Sequence, residues 1–183
     1  MNSLSSSELL LDFSEIEHRE FGFVYSGYFK RKMQFLNRDA LIRFIDMVRP
    51  KDCFVSVARY ENPCRMDGWL GSDFFVDIDI ESGEVGLIYD EALRIFEVLK
   101  SDFGLKKIVL NKSGSKGYHV VVFDDEIQDL IAGERQEIAD YLILKHKATH
   151  IDTPCSCDIH RLRRLEGTVN SKSGKICKRL IPK

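Results

Sequence analysis

Asp77 and Asp79 stand two apart in the segment Phe74-Phe75-Val76-Asp77-Ile78-Asp79-Ile80. Side chains along a β-strand alternate faces. Phe74, Val76, Ile78 and Ile80 therefore line one face, and Asp73, Phe75, Asp77 and Asp79 the other. The first face reads as core. The second sets two carboxylates side by side, roughly 7 Å apart. Carboxylates that close repel unless positive charge lies between them, and hard divalent cations bound through oxygen are the usual solution. A solvated acidic strand face is the alternative that this pattern alone leaves open.

Two further segments carry chemistry-bearing residues. In Ser113-Gly114-Ser115-Lys116-Gly117-Tyr118-His119 the glycines permit backbone conformations that point N–H groups at an anion. Lys116 adds a charge, Ser113 and Ser115 add hydroxyls, and His119 adds a ring nitrogen. The loop is not a Walker loop, because the G-x-x-x-x-G-K-[ST] pattern is absent. A plain glycine hairpin is the competing reading. The third segment, residues 150–174, brings together Asp152, a guanidinium cluster at Arg161, Arg163 and Arg164, and a polar glycine turn. Arginine suits bidentate contact with phosphate, and a third carboxylate would complete a site for two metals.

The elements that must position these residues are legible from periodicity and breakers. Helices are expected over 8–16, 38–48, 90–101 and 134–145, with a short helical stretch near 158–164. Asn37 caps the second helix, Pro50 ends it, and Gly104 ends the third. Strands are expected over 21–25, 29–35, 54–59, 74–80, 107–110 and 118–123, and near 168–170. Residues 68–71 read as a loop. This order implies an α+β (mixed α/β) fold, a β-sheet flanked by helices. The length of 183 residues fits one domain over 1–183.

Charge is uneven. From His160 onward there are eight Lys or Arg residues, opposed only by Glu166, an asymmetry that suggests a polyanionic partner or a solvated basic tail. No apolar run approaches the roughly 18 residues of a membrane span. The first residues lack the basic-then-apolar pattern of a signal peptide, so a cytoplasmic location and no membrane partner are expected. Five scattered cysteines point to free thiols rather than a disulfide framework.

Taken together, the motifs resemble the small catalytic subunit of archaeal and eukaryotic DNA primase, in its archaeal form. The resemblance starts at Arg19-Glu-Phe-Gly-Phe23. It is strongest in Ala58-Arg-Tyr-Glu-Asn-Pro63, Gly68-Trp-Leu-Gly-Ser-Asp73 and Val76-Asp-Ile-Asp79. It continues through Ser113-Gly-x-x-Gly-x-His119, Ile151-Asp-x-Pro154, Asp158-Ile-His-Arg-Leu162 and Arg164-Leu-x-Gly167. The resemblance implies an RRM-like element carrying the aspartate pair. It implies that Asp77, Asp79 and Asp152 are the catalytic, metal-binding carboxylates for two Mg²⁺ or Mn²⁺ ions. It implies that Ser113, Ser115, Lys116, His119, Arg164 and the Asn170 position hold the nucleotide phosphates.

The implied activity is synthesis of short RNA primers on a single-stranded DNA template by nucleotidyl transfer from NTPs or dNTPs. The implied partner is a primase large subunit, in a heterodimer. The segment from Arg161 to Lys183 is a candidate track for the template, an inference from charge. The alternatives are a non-catalytic nucleotide- or nucleic-acid-binding subunit of a primase complex and a primase-like repair polymerase. The chain departs from the family in several ways: Ser115 stands where Asn or Arg is common, and most of the insertion between the second and third motifs is missing. Asn170 stands where His is usual. Glu166 stands where Pro is usual. Residues 81–112, where the family carries a zinc knuckle, contain neither Cys nor His. No structural zinc is expected: Cys155-x-Cys157 with His160 and Cys177 does not have a well-attested zinc spacing, and the first two cysteines fall where the family has small β-branched residues.

Overall fold

A computed structural model describes residues 15–80 and 85–181. Two antiparallel sheets make up the frame. The first contains β1 (Arg19–Val24), β2 (Phe29–Met33), β3 (Asp52–Asn62) and β4 (Asp67–Ser72), in the order β2-β1-β3-β4, and β8 (Leu162–Arg164) pairs with β3 as well. The second contains β5 (Phe74–Ile78), β6 (Ile108–Lys112), β7 (Tyr118–Val122) and β9 (Lys178–Ile181), in the order β5-β7-β6-β9. Four α-helices accompany them among the described residues: α1 (Arg38–Val48), α2 (Val85–Ser101), α3 (Ala132–His146) and α4 (Thr153–Cys157). The run β5-α2-β6-β7-α3, with β7 antiparallel between β5 and β6, is the split β-α-β arrangement expected of an RRM-like element. Its last strand, β9, lies beside β6. No helix among the described residues is long and apolar enough to cross a membrane.

The period-two pattern of β5 sorts its residues into two layers. Phe74, Val76 and Ile78 join Ile88, Ile95 and Leu99 of α2 and Leu142 of α3 in one core. Phe75, on the opposite face, joins Val109, Val121, Val55, Val57, Phe21 and Phe23 in a second core. The aspartate-bearing face of β5 is therefore not a solvated surface. It closes a layer between the two sheets, with α1 adding Leu41 and Ile45. Asn37 Oδ1 accepts the Ala40 N–H at 2.9 Å and starts α1 as expected.

One residue, Asp73, carries the chain from the first sheet to the second. Its side chain is fully buried. Arg19 grips it with Nη1 at 2.7 Å from Oδ2 and Nη2 at 3.0 Å from Oδ1, and Arg19 Nη1 also donates to the Ser56 and Val57 carbonyls. Arg135, buried on α3, donates to the Asp73 and Ser72 carbonyls at 2.8 and 2.7 Å. The joint ties both sheets and a helix through charge-assisted hydrogen bonds.

Several expectations need correction. Residues 68–71 lie in strand β4, which bulges against β3, so the glycines there mark a bulge rather than a loop. The helical stretch lies earlier, at α4, and residues 162–164 form β8, because β3 offers an open edge that pairs Phe54 with Arg164 and Ser56 with Leu162. Near 168–170 there is only a bridge between Val169 and Ile176. Strand β9, unexpected from the sequence, fills the β6 edge. The helix expected over 8–16 lies outside the described residues up to position 14, and Ile16 opens a single 3₁₀ turn.

Replacing Asp73 with Ala leaves the Arg19 guanidinium buried without its counter-charge. The expected cost is about 3–5 kcal/mol of folding stability, read as a lower urea midpoint with an unchanged slope.

Candidate active site

The second sheet aligns a row of polar residues across its four strands. Asp77 pairs with His119, and His119 pairs with Asn111; Arg179 of β9 stands opposite Asn111. All four project from the face that farther along carries Phe75, Val121 and Val109. The row thus begins where the apolar inter-sheet layer ends.

His119 is buried, its ring edge-on to Phe75 with centroids 5.1 Å apart. Burial, then the nearby charges of Arg163, Arg164 and Arg161, push its pKa down to about 3. It is neutral at pH 7, so the 3.6 Å separation between its Nε2 and Asp77 Oδ1 is not an ion pair. The imidazole can offer one N–H donor and no charge.

Asp77 meets Asp152 and Cys155 at the end of β5, where the candidate ligand atoms of the three lie within 4.8 Å of one another. Backbone hydrogen bonds impose this meeting. The Asp152 N–H donates to the Asp77 carbonyl at 2.9 Å, and the Asp77 N–H donates to Ser156 Oγ at 3.0 Å. Asp152 Oδ1 in turn caps the Cys155 N–H at 3.0 Å, so one residue starts α4 and faces Asp77. Asp79 lies just past the strand, exposed, with Oδ1 accepting the Ile80 N–H. Burial raises the Asp77 carboxyl to about 6, the charges of Asp152 and Asp79 add to the rise, and Arg161 opposes it. Two carboxylates in mutual repulsion, set by the backbone beside a thiol and with Asp79 close by, fit a divalent cation.

A cavity of about 260 Å³ opens beside these carboxylates. Asp77, Asp79, Ser113, Ser115 and His119 line it from one side, and Arg161, Arg163, Arg164, Asn170 and Lys172 from the other. Gly117 brings the Ser113 loop against the carboxylates: a Cβ there would sit 2.5 Å from the Ile78 carbonyl and 3.1 Å from Asp79 Oδ1. Gly114, with φ of +82°, lets the loop lie on the backbone of residues 175–177. Lys116, expected among the anion-binding residues, is exposed and is not part of the cavity lining.

Arg164 is held from behind. Its Nη1 donates to Asp52 Oδ1 at 2.6 Å, and its guanidinium lies 4.9 Å from the Phe54 ring centroid. Burial alone would raise the Asp52 pKa, but hydrogen bonds from Ser171 and Arg164 outweigh it and keep the pKa below its ordinary value. The same aspartate accepts the Ser171 N–H at 2.9 Å, which fixes the turn that carries Asn170. Asn170 Oδ1 accepts the Lys172 N–H at 3.0 Å, leaving its amide N–H₂ as the group with donors to offer.

The basic C-terminal segment is not a continuous outward track. Arg163 is buried against the Phe123 ring, and Arg179 is spent on buried Glu166, with its Nη2 2.7 Å from Glu166 Oε2. Among the described basic residues there, Lys172, Lys175 and Lys178 are the exposed ones. The cysteines expected to be free thiols are free. Cys157 contacts Gln136, His160 meets Tyr60 at 2.8 Å, and Cys177 is buried, so these groups have separate neighbours. Arg161, Arg163, Lys172, Cys155 and Asp52 are site residues that motif reading did not assign. The first two stood in the basic cluster, whereas nothing in the sequence marks Asp52.

A family model described as DNA primase small subunit matches residues 76–172. The chain belongs to this family. The match runs from the residue before Asp77 to Lys172 and so contains every cavity-lining residue except Phe54 and Phe75. The primase small subunit PriS of Pyrobaculum calidifontis is 29% identical over 223 positions, covering 91% of this chain and 72% of the relative. That of Aeropyrum pernix is 34% identical over 147 positions, covering 72% and 43%. The first alignment has more positions than this chain has residues, so that primase small subunit carries segments absent here. Among solved structures, the polymerase domain of Mycobacterium tuberculosis ligase D in complex with DNA superposes with a TM-score of 0.69 at 12% identity, covering 91% of this chain and 74% of that one. The primase-polymerase domain of cyanophage S-2L gives 0.60 at 13%, covering 98% and 91%. The fold is that of primase-polymerase domains.

The raised Asp77 pKa has a consequence for stability in this primase small-subunit fold. The group binds its proton more tightly folded, at about 6, than at its ordinary 3.8. It therefore subtracts stability as pH rises through 4 to 6, and the loss is complete above that window. Asp77→Asn is expected to stabilise the metal-free protein by about 2–3 kcal/mol at neutral pH, and to leave stability unchanged near pH 3.5. Urea unfolding in EDTA at both pH values checks this.

Proposed function

We propose that this chain is a DNA primase catalytic subunit: a DNA-dependent nucleotidyltransferase that builds short RNA primers on single-stranded DNA from nucleoside triphosphates. The observation that carries this reading is the cavity with Asp77, Asp79 and neighbouring Asp152 on one side and Arg161, Arg163, Arg164 and Lys172 on the other. A triphosphate is an anion that needs cationic partners at both ends, divalent metal at the reacting end and guanidinium along its length.

Asp77, Asp79 and Asp152 would hold a pair of Mg²⁺ or Mn²⁺ ions. Such ions, when bound, activate the attacking 3′-hydroxyl and neutralise the charge that develops on the phosphates. The protein groups position and stabilise. Ser113 and Ser115, on the loop that Gly117 presses against Asp79, offer hydroxyls to the phosphate oxygens. His119, neutral and immobilised beside Phe75, donates a hydrogen bond rather than a charge. Arg164, braced by Asp52, supplies a fixed guanidinium, and Asn170 supplies amide donors where a histidine is usual. Lys116 would act from the rim. Preorganised donors of this kind lower the barrier without reorganising during reaction.

The whole chain, residues 1–183, would act as one minimal catalytic domain. Its relatives are called small subunits and carry segments this chain lacks. That supports a heterodimer with a large subunit supplying functions the missing segments serve elsewhere.

A primer-synthesis assay on single-stranded DNA with Mg²⁺ or Mn²⁺, with and without a large subunit, tests the assignment. Asp77→Ala, Asp79→Ala and Asp152→Ala are each expected to lower incorporation by at least about a hundredfold. Equal activity of these variants and the unaltered protein would overturn it. Asp52→Ala should leave the metals in place and raise KM for the nucleotide by roughly tenfold through loss of the Arg164 brace, with a smaller change in kcat.

A further inference from the structure

The Cys155 thiol hydrogen-bonds the carboxylates of Asp152 and Asp77, and burial together with these carboxylates pushes its pKa up to about 12, so without a cation it is a protonated thiol. Cys155 lies in the first turn of α4, three residues after Asp152, a spacing that places both on one helical face. The Asp152 carboxylate caps the Cys155 N–H, and the α4 start is fastened to β5 by the Asp152-to-Asp77 and Asp77-to-Ser156 hydrogen bonds. Sulfur and the two carboxylates are therefore set relative to one another by the backbone. Their ligand atoms lie within 4.8 Å of one another. A single cation with bonds of about 2.0–2.3 Å reaches all three after small side-chain adjustments. Cys155 is half-exposed rather than packed in either core.

We propose that Cys155 is a sulfur ligand to the cation held between Asp77 and Asp152, and that it biases this site toward thiophilic divalent ions such as Zn²⁺, Co²⁺ and Cd²⁺ relative to Mg²⁺. The inference rests on the metal-site reading above. Thiolate prefers soft and borderline metals, whereas Mg²⁺ takes oxygen ligands and gives up its water reluctantly. Coordination breaks the S–H bond, forms a sulfur–metal bond and releases the proton to buffer, with no change of oxidation state. The remaining carboxylate, Asp79, stays outside this trio and is left for the second, oxygen-bound ion.

Titration of the full chain with Co²⁺ in thiol-free buffer tests the proposal by absorption, independently of activity. The expected result is a thiolate-to-cobalt charge-transfer band that is retained in Cys157→Ser and lost in Cys155→Ser. Calorimetry should show that Cys155→Ser still binds Co²⁺, with affinity reduced by at least about tenfold, the lower bound for losing even an outer-shell partner. Its Mg²⁺ affinity should change far less. Tight Co²⁺ binding without the band, or a band that survives Cys155→Ser, would overturn the sulfur ligand and leave the carboxylate site standing. Absence of Co²⁺, Mn²⁺ and Mg²⁺ binding to the unaltered chain would overturn the metal site itself, and this inference with it.

Discussion

Asp73 is the single residue between two sheets, and its carboxylate is buried where an uncompensated charge would be unaffordable. Arg19 answers that charge from β1, and Arg135 of α3 holds the backbone on either side of it. The positions of Asp77 and Asp79 follow from this joint. Three residues separate Asp73 from Asp77 along a strand that has no freedom at its start, because the first sheet, the second sheet and a helix converge on the same residue. The apolar residues between them, packed into two different cores, set the phase of the strand, so Asp77 emerges partly buried at the edge of the inter-sheet layer and Asp79 exposed just beyond it.

The site is organised by a separation of charge across the cavity. Carboxylates gather at the β5–α4 junction, guanidinium groups gather just before and on β8, and Lys172 adds an ammonium from the turn preceding β9. Burial together with the arginines leaves His119 neutral. Buried Glu166 has a related task. Without it, Arg179 would leave an uncompensated positive charge beside β6. Pairing the two removes that charge and fastens β9 to the turn that carries Asn170. A residue that departs from the family pattern thus has a structural partner within this chain.

How much of this was legible depended on the range of the interaction. The α1 helix was predictable to its ends because its cap, its apolar stripe and its terminating Arg49-Pro50 are all local. The alternation in β5 was equally plain. Strand β8 was not, because Leu162-Arg163-Arg164 becomes a strand only by pairing with β3 more than a hundred residues earlier. The basic segment was misjudged for the same reason. Charge counts along a sequence treat every arginine as exposed, whereas Arg179 is spent on Glu166, Arg163 is buried against Phe123, and Arg164 is held in place by Asp52.

The sequence by itself determined which groups were available: two aspartates at strand spacing, a glycine loop with Lys and Ser, a third aspartate before a proline, and a run of arginines. It determined the family as well, because those groups occur in a characteristic order. Only the tertiary structure decided which of them meet. Asp77 and Asp152 are neighbours through two backbone hydrogen bonds across the β5–α4 junction. That junction also brings in Cys155, while burial and the arginines before and on β8 keep His119 uncharged and Lys116 stays exposed outside the cavity lining. Sequence order records composition along a line, whereas burial, charge state and ligand geometry depend on residues far apart in the chain, and those contacts exist only once both sheets have closed.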